Sequence, residues 1–263
     1  MTSSTEGTEV GRAPSTGRRI AFRIIATVVG VSGMAFGLFT AVFGIISEDQ
    51  RVHAFHNTVV AALLLVLSAP PALVAARAPE RSSRALVHLA VVGVAGLVTM
   101  ALALTIDVFT LPVVVLIGVL WLLRPPQEER ATAGRPSPVL LVLVLAAAVP
   151  LAAYALTHAE LQRIDSTSEH AEFYHWVETS FYAASILLLG LLVALRPAAY
   201  RYSAWAAGVA LAVLGGGSLL LGDYVSALDT SWAWAALAGG IAFTGIAEWE
   251  FRRSARRLGA ARA

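Results

Sequence analysis

Read as a pattern of apolar and polar positions, the chain is a succession of long apolar runs interrupted by short polar ones. Eight windows carry about 16 to 25 mostly apolar residues each, close to the roughly 20 that a helix needs to cross a hydrocarbon core. They lie at 24–46, 57–76, 85–106, 108–123, 138–157, 176–195, 202–222 and 232–249. The third and fourth are joined by almost nothing, so the pattern predicts a tight helical hairpin around "LALTIDVFTLP". The expected fold is an all-α integral membrane protein, a bundle of eight transmembrane helices.

Composition agrees with that pattern. The chain has 263 residues, 57% of them hydrophobic and only 14% charged, where a soluble domain carries roughly 25% charged residues. All nineteen basic residues are arginine, and their placement sets a predicted orientation. With the N-terminus inside, seventeen arginines fall on the cytoplasmic side and only Arg51 and Arg163 on the other, which is the asymmetry expected of short cytoplasmic loops. Both termini are then cytoplasmic. A pI near 9.3 thus reports topology and contact with anionic lipid head groups, and gives no reason to invoke nucleic acid. The lipid bilayer is the expected partner, with room for a membrane-protein partner or a homo-oligomer, and the bacterial cytoplasmic membrane is the expected location.

Organisation follows from the polar interruptions. Residues 1–18 form a Ser/Thr/Gly-rich tail that cannot bury a core and is expected to be disordered. The first apolar run exceeds a signal-peptide core and lacks a small-x-small cleavage pattern, which predicts a retained helix. The stretch 124–137 reads as a cytoplasmic linker between halves at 19–123 and 138–252, with a basic tail at 253–263. The halves match in their ionisable residues: His56, Arg77, Arg84 and Asp107 are spaced 21, 7 and 23 residues apart, and His175, Arg196, Arg201 and Asp223 are spaced 21, 5 and 22. That correspondence predicts two parallel four-helix repeats.

Candidate chemistry concentrates on the side opposite the arginines. Five of six histidines and ten of seventeen acidic residues fall there. The matched pairs His56 with His175 and Asp107 with Asp223 are the first candidates for a metal site; His53, Glu172 and Glu178 are the second. His53 and His56 share a helix face, as do His175 and Glu178, both at i, i+3 spacing. Imidazole and carboxylate ligands suit zinc, iron or copper, and haem b between His56 and His175 ranks behind them. A catalytic use would need an open coordination position, with Glu178 or Glu172 accepting a proton. Against this stands ordinary helix capping and interfacial solvation of the same residues. His88, near the arginine-rich side, reads as a hydrogen-bonded packing residue.

Other chemistries have little support. The chain lacks cysteine, and GxGxxG, P-loop and GxSxG patterns are absent. No predicted span carries a charged residue near its centre, which disfavours a carboxylate-coupled carrier. "LGGGS" at 214–218 and "LAGG" at 237–240 are either helix breaks or close-packing surfaces. The alternative function is a permease or an accessory or scaffold membrane protein without metal, its pathway running between the two halves.

Overall fold

The computed structural model describes residues 16–46, 52–127, 135–165, 167–196 and 199–260, and every regular element among them is helical. Residues 1–15 of the expected tail and 128–134 of the expected linker lie outside the described residues. The helices are α1 (Thr16–Ile46), α2 (Ala54–Ala62), α3 (Ala69–Arg77), α4 (Ser83–Ala103), α5 (Thr110–Leu123), α6 (Pro138–Ile164), α7 (Glu169–Glu172), α8 (His175–Leu195), α9 (Arg201–Leu220) and α10 (Thr230–Ala260). A six-residue π-helical segment, Leu63–Ser68, joins α2 to α3 into one continuous rod.

Each of the eight apolar windows is thus a helix. Six are long and apolar enough to cross a membrane: Thr16–Gly44, Ala54–Arg77, Ser83–Ala103, Pro138–Ile164, His175–Leu195 and Arg201–Leu220. The protein is a multi-pass membrane protein. Of the remaining two, α5 has only 14 residues, and α10 is long but less apolar, because Glu248, Glu250 and several arginines occupy its second half. Residues 16–18 and 253–260 are helical, as extensions of α1 and α10.

The π segment has an identifiable cause. Pro70 and Pro71 lack N–H groups and cannot donate to the carbonyls four residues back, Val66 and Leu67. In a membrane interior such freed carbonyls must find other donors. The Tyr202 hydroxyl donates to the Val66 carbonyl, and His88 Nε2 donates to the Leu67 carbonyl at 2.8 Å. Because a carbonyl only accepts, the His88 tautomer is fixed with Nδ1 bare, and that nitrogen accepts from the Ser203 hydroxyl at 2.9 Å. His88 is fully buried, and both of its nitrogens are used.

Packing brings the halves together through their second and third helices. The α2–α3 rod packs against α1 and α4, and α8 packs against α6 and α9. Across the chain's midpoint α4 lies on α8, while α2 and the π segment lie on α9, with α2 also touching α8. The main core cluster sits on this junction, with Phe55, Leu67, Phe181, Tyr182, Leu189 and Leu214 buried in it. Neither glycine-rich stretch breaks its helix. A Cβ on Gly208 would lie 1.9 Å from Thr244 Oγ1 and 2.7 Å from the Gly240 carbonyl oxygen, and one on Gly240 would lie 2.4 Å from the Gly208 carbonyl oxygen. These glycines are the surface on which α9 and α10 approach backbone to backbone.

Gly240→Leu is therefore expected to force α9 and α10 apart and destabilise the protein by about 1–3 kcal/mol, the usual range for overpacking. A thermal-unfolding midpoint in detergent measures it. Gly245→Leu is the control, since a Cβ at Gly245 meets nothing within 4 Å.

Candidate functional site

At the end of the bundle away from Arg77, Arg84 and Arg201, four imidazoles meet. His53 and His56 come from the start of α2, His170 from α7, and His175 from the first residue of α8. Ring centroids lie 4.9 Å apart for His53 and His170, 4.7 Å for His53 and His175, 4.8 Å for His56 and His170, and 4.9 Å for His56 and His175. His170 and His175 are 5.9 Å apart. Four nitrogens around one tetrahedral ion, with metal–nitrogen bonds near 2.0–2.1 Å, would place ring centroids about 5 Å apart. Within the set, His53, His56 and His170 each offer a ligand atom such that all three atoms lie within 4.8 Å of one another.

Two turns aim these rings. On one continuous helix His170 and His175 would point about 140° apart, at 3.6 residues per turn. Instead α7 ends at Glu172, and Tyr174 takes a left-handed conformation with φ 61°, which interrupts the helix, and both rings lie against those of His53 and His56. Asp107 follows a second left-handed residue, Leu104 with φ 50°. Such conformations are costly outside glycine and gather at functional sites. The short α7 is tied to the end of α6: Gln162 Nε2 donates to the Ala171 carbonyl at 2.9 Å, and Ser168 Oγ accepts from the Ala171 amide at 3.3 Å while bonding the Asp165 carboxylate. Trp176 Nε1 donates to Asp165 at 3.1 Å, and its ring stacks under His170 at 4.9 Å.

Polar neighbours orient the rings. His53 Nε2 lies 3.4 Å from Glu169 Oε2, and His175 Nδ1 lies 3.3 Å from Glu178 Oε2. His56 Nε2 is 2.8 Å from the Ser226 hydroxyl. Each contact engages one nitrogen of its ring. On the other side, His53 Nδ1 and His56 Nδ1 are buried without a hydrogen-bond partner, an arrangement that costs about 1–3 kcal/mol per group when left unfilled. Metal-binding histidines show this division, one nitrogen held by a carboxylate or other polar group and the other free to ligate. His158 repeats it nearby: Nδ1 donates to the Tyr154 carbonyl at 2.8 Å, and Nε2 is buried without a partner.

The residues singled out from the sequence separate into two groups. His53, His56, His175, Glu178 and Asp107 come together. Asp107 is fully buried, caps α5 through the Phe109 amide at 2.8 Å, and leaves Oδ2 without a partner; its charge acts on both His175 and Glu178. Asp223 and Glu172 are exposed and stand outside the group. In the connection that carries Asp223, the residue touching the site is Ser226. The sequence reading also passed over His170, whose direction depends on a turn that periodicity does not reveal. His56 and His175 stack nearly face to face, at 15° between ring planes, which leaves no room for a porphyrin between them.

Burial holds the His53 and His170 imidazoles below the ordinary value, with neighbouring imidazoles adding to the effect. Burial also raises the Asp107 carboxyl above the usual carboxylate range, although its hydrogen bonds oppose the shift. Neutral imidazoles are the form that a metal ion requires. No protein-family model, curated protein or solved structure matches the chain.

As pH falls below about 6.5, the unfolded chain takes up protons at its ordinary imidazole value while folded His53 and His170 still exclude them, so stability rises with pH across that window and is lost on acidification. The thermal midpoint of metal-free protein in detergent is expected to fall below pH of about 6.5. A His53→Gln, His170→Gln double variant is expected to flatten that fall.

Proposed function

We propose that the protein is a metalloprotein of the membrane whose two halves jointly hold a transition-metal ion, zinc foremost, at the extracytoplasmic face. In this reading all eight helices span, in two parallel four-helix repeats, with both termini cytoplasmic. The arginine asymmetry supports the orientation. The reciprocal packing supports the repeat: the third helix of one half lies on the second of the other, and the second of the first half on the third of the second. The counterparts His56 and His175 meet at the centre of that arrangement.

One observation carries the proposal: three histidine ligand atoms lie within 4.8 Å of one another, and two of those rings present buried nitrogens that nothing satisfies. Solvated interfacial histidines do not bury such atoms. Imidazole nitrogens are ordinary zinc ligands. Iron and cuprous copper are compatible with the same nitrogens. Glu169 and Glu178 set carboxyl groups against His53 and His175, the setting of metal-binding histidines.

Purified from metal-replete growth without chelators, the protein is expected to carry stoichiometric metal by elemental analysis, and a His53→Ala, His56→Ala double variant is expected to lose it. Asp223→Asn is expected to keep its metal, because that side chain is exposed. Metal-free wild-type protein would overturn the reading.

A further inference from the structure

We infer that the ion has an open coordination position, and that His175, oriented by Glu178, accepts a proton from water held there. The centre would then be hydrolytic, acting on a neutral carboxylic ester or amide presented at the membrane surface. The inference rests on the metal centre proposed above and adds a reaction to it.

The starting point is that the four imidazoles are not equivalent. His53, His56 and His170 form the set whose ligand atoms lie within 4.8 Å, whereas the His175 ring is 5.9 Å from that of His170. Three histidine ligands with a water in the fourth position is the arrangement of catalytic zinc, and four protein ligands that of structural zinc. His175 also differs in its partner. Glu178 is almost buried, with its side chain 10% exposed, and it engages Nδ1 of a ring that is itself 14% exposed. A base at His175 requires the tautomer in which Nδ1–H donates to an ionised Glu178, so that Nε2 carries the lone pair. A histidine whose second nitrogen is held by a buried carboxylate has the arrangement of a general base with its orienting group. The carboxylate fixes the tautomer and stabilises the imidazolium that forms.

The surroundings select the electrophile. Glu169 and Glu172 of α7 are both exposed, Glu169 lies against His53 and Glu178 against His175. A phosphate ester would bring negative charge against these carboxylates, and an uncharged carbonyl would not. Phe173 is 48% exposed and its ring lies 6.1 Å from that of His175. Phe109, equally exposed, packs on Tyr174 at 6.2 Å. Exposed aromatic side chains beside a site at the ends of membrane helices suit an amphiphilic acyl compound.

The step balances without a further reactant. Water transfers a proton to His175 Nε2, and its oxygen forms a bond to the carbonyl carbon while the carbonyl π pair moves onto oxygen. When that pair returns, the bond to the leaving oxygen or nitrogen breaks, and the leaving group takes the proton from the imidazolium. One water and one ester or amide become one acid and one alcohol or amine.

The test uses full-length protein loaded with zinc in detergent, comparing wild type with His53→Ala, His56→Ala, His170→Ala, His175→Asn and Glu178→Gln. Zinc content and hydrolysis of p-nitrophenyl acetate are read together, with helix content by circular dichroism checking each fold. His175→Asn is expected to keep stoichiometric zinc while losing about 10²–10⁴-fold in rate, the contribution of a positioned base. Each of the three alanine variants is expected to lose zinc. Loss of zinc from His175→Asn with the fold intact would make the site a closed four-histidine centre, overturning the open position while leaving the metal reading intact. Zinc retained with an unchanged rate would overturn the role of His175, and a wild-type rate no higher than that of free zinc would overturn the hydrolytic reading. A wild-type chain that binds no zinc would instead remove the metal reading itself.

Discussion

The cost of an unpaired polar group away from water organises this molecule more than any single contact. In hydrocarbon each backbone amide and carbonyl must be satisfied within the protein, and helices along nearly all the described chain are the response. Where Pro70 and Pro71 cancel two of those bonds, the repair comes from other helices, through His88 of α4 and Tyr202 of α9. The repair is also a junction, because it joins the α2–α3 rod to the opposite half. A defect in one helix thus becomes a tie between two, and the core around Tyr182 and Leu214 closes over it.

The same constraint distinguishes the histidines. His88 is buried with both nitrogens engaged, one by a carbonyl and one by a hydroxyl, so its polarity is fully absorbed by the fold. His53 and His56 are equally buried, yet each keeps a nitrogen without a partner. Burial alone therefore says nothing about ligation. What separates these histidines is satisfaction, and the unpaired nitrogens of His53 and His56 are those that the proposed ion would pair. Glu169 and Ser226 engage the remaining nitrogens of His53 and His56, as supporting contacts around metal ligands do.

Much of this was legible in the sequence, for reasons that differ by residue. The spans follow from apolar length, which tolerates errors of a few residues at each end. His56 and His175 were found by comparing the two halves, since similar helices ending at similar depths keep their ionisable residues in register. Asp223 matched the pattern equally well but is exposed, because spacing fixes depth along a helix and not the direction taken by the loop beyond it. His170 was hidden by the left-handed Tyr174, a conformation with no reliable signature in a tyrosine. The π segment was likewise invisible as such, although Pro70 and Pro71 marked the place where the helical ladder had to fail.

The two halves differ most where the imidazoles collect. In the repeat read from the sequence His56 corresponds to His175, so that His53 and Glu172, each three residues earlier, correspond as well, yet His53 is buried among imidazoles and Glu172 is exposed. The first half supplies its histidines from one helix face, at i and i+3. The second half instead breaks its helix after four residues, and that break carries His170 across to α2. His56 and His175, counterparts in that reading, lie against each other at 15° between their rings. Adding His53 from one side and His170 from the other brings ligand atoms of His53, His56 and His170 within 4.8 Å of one another, with the His175 ring beside them.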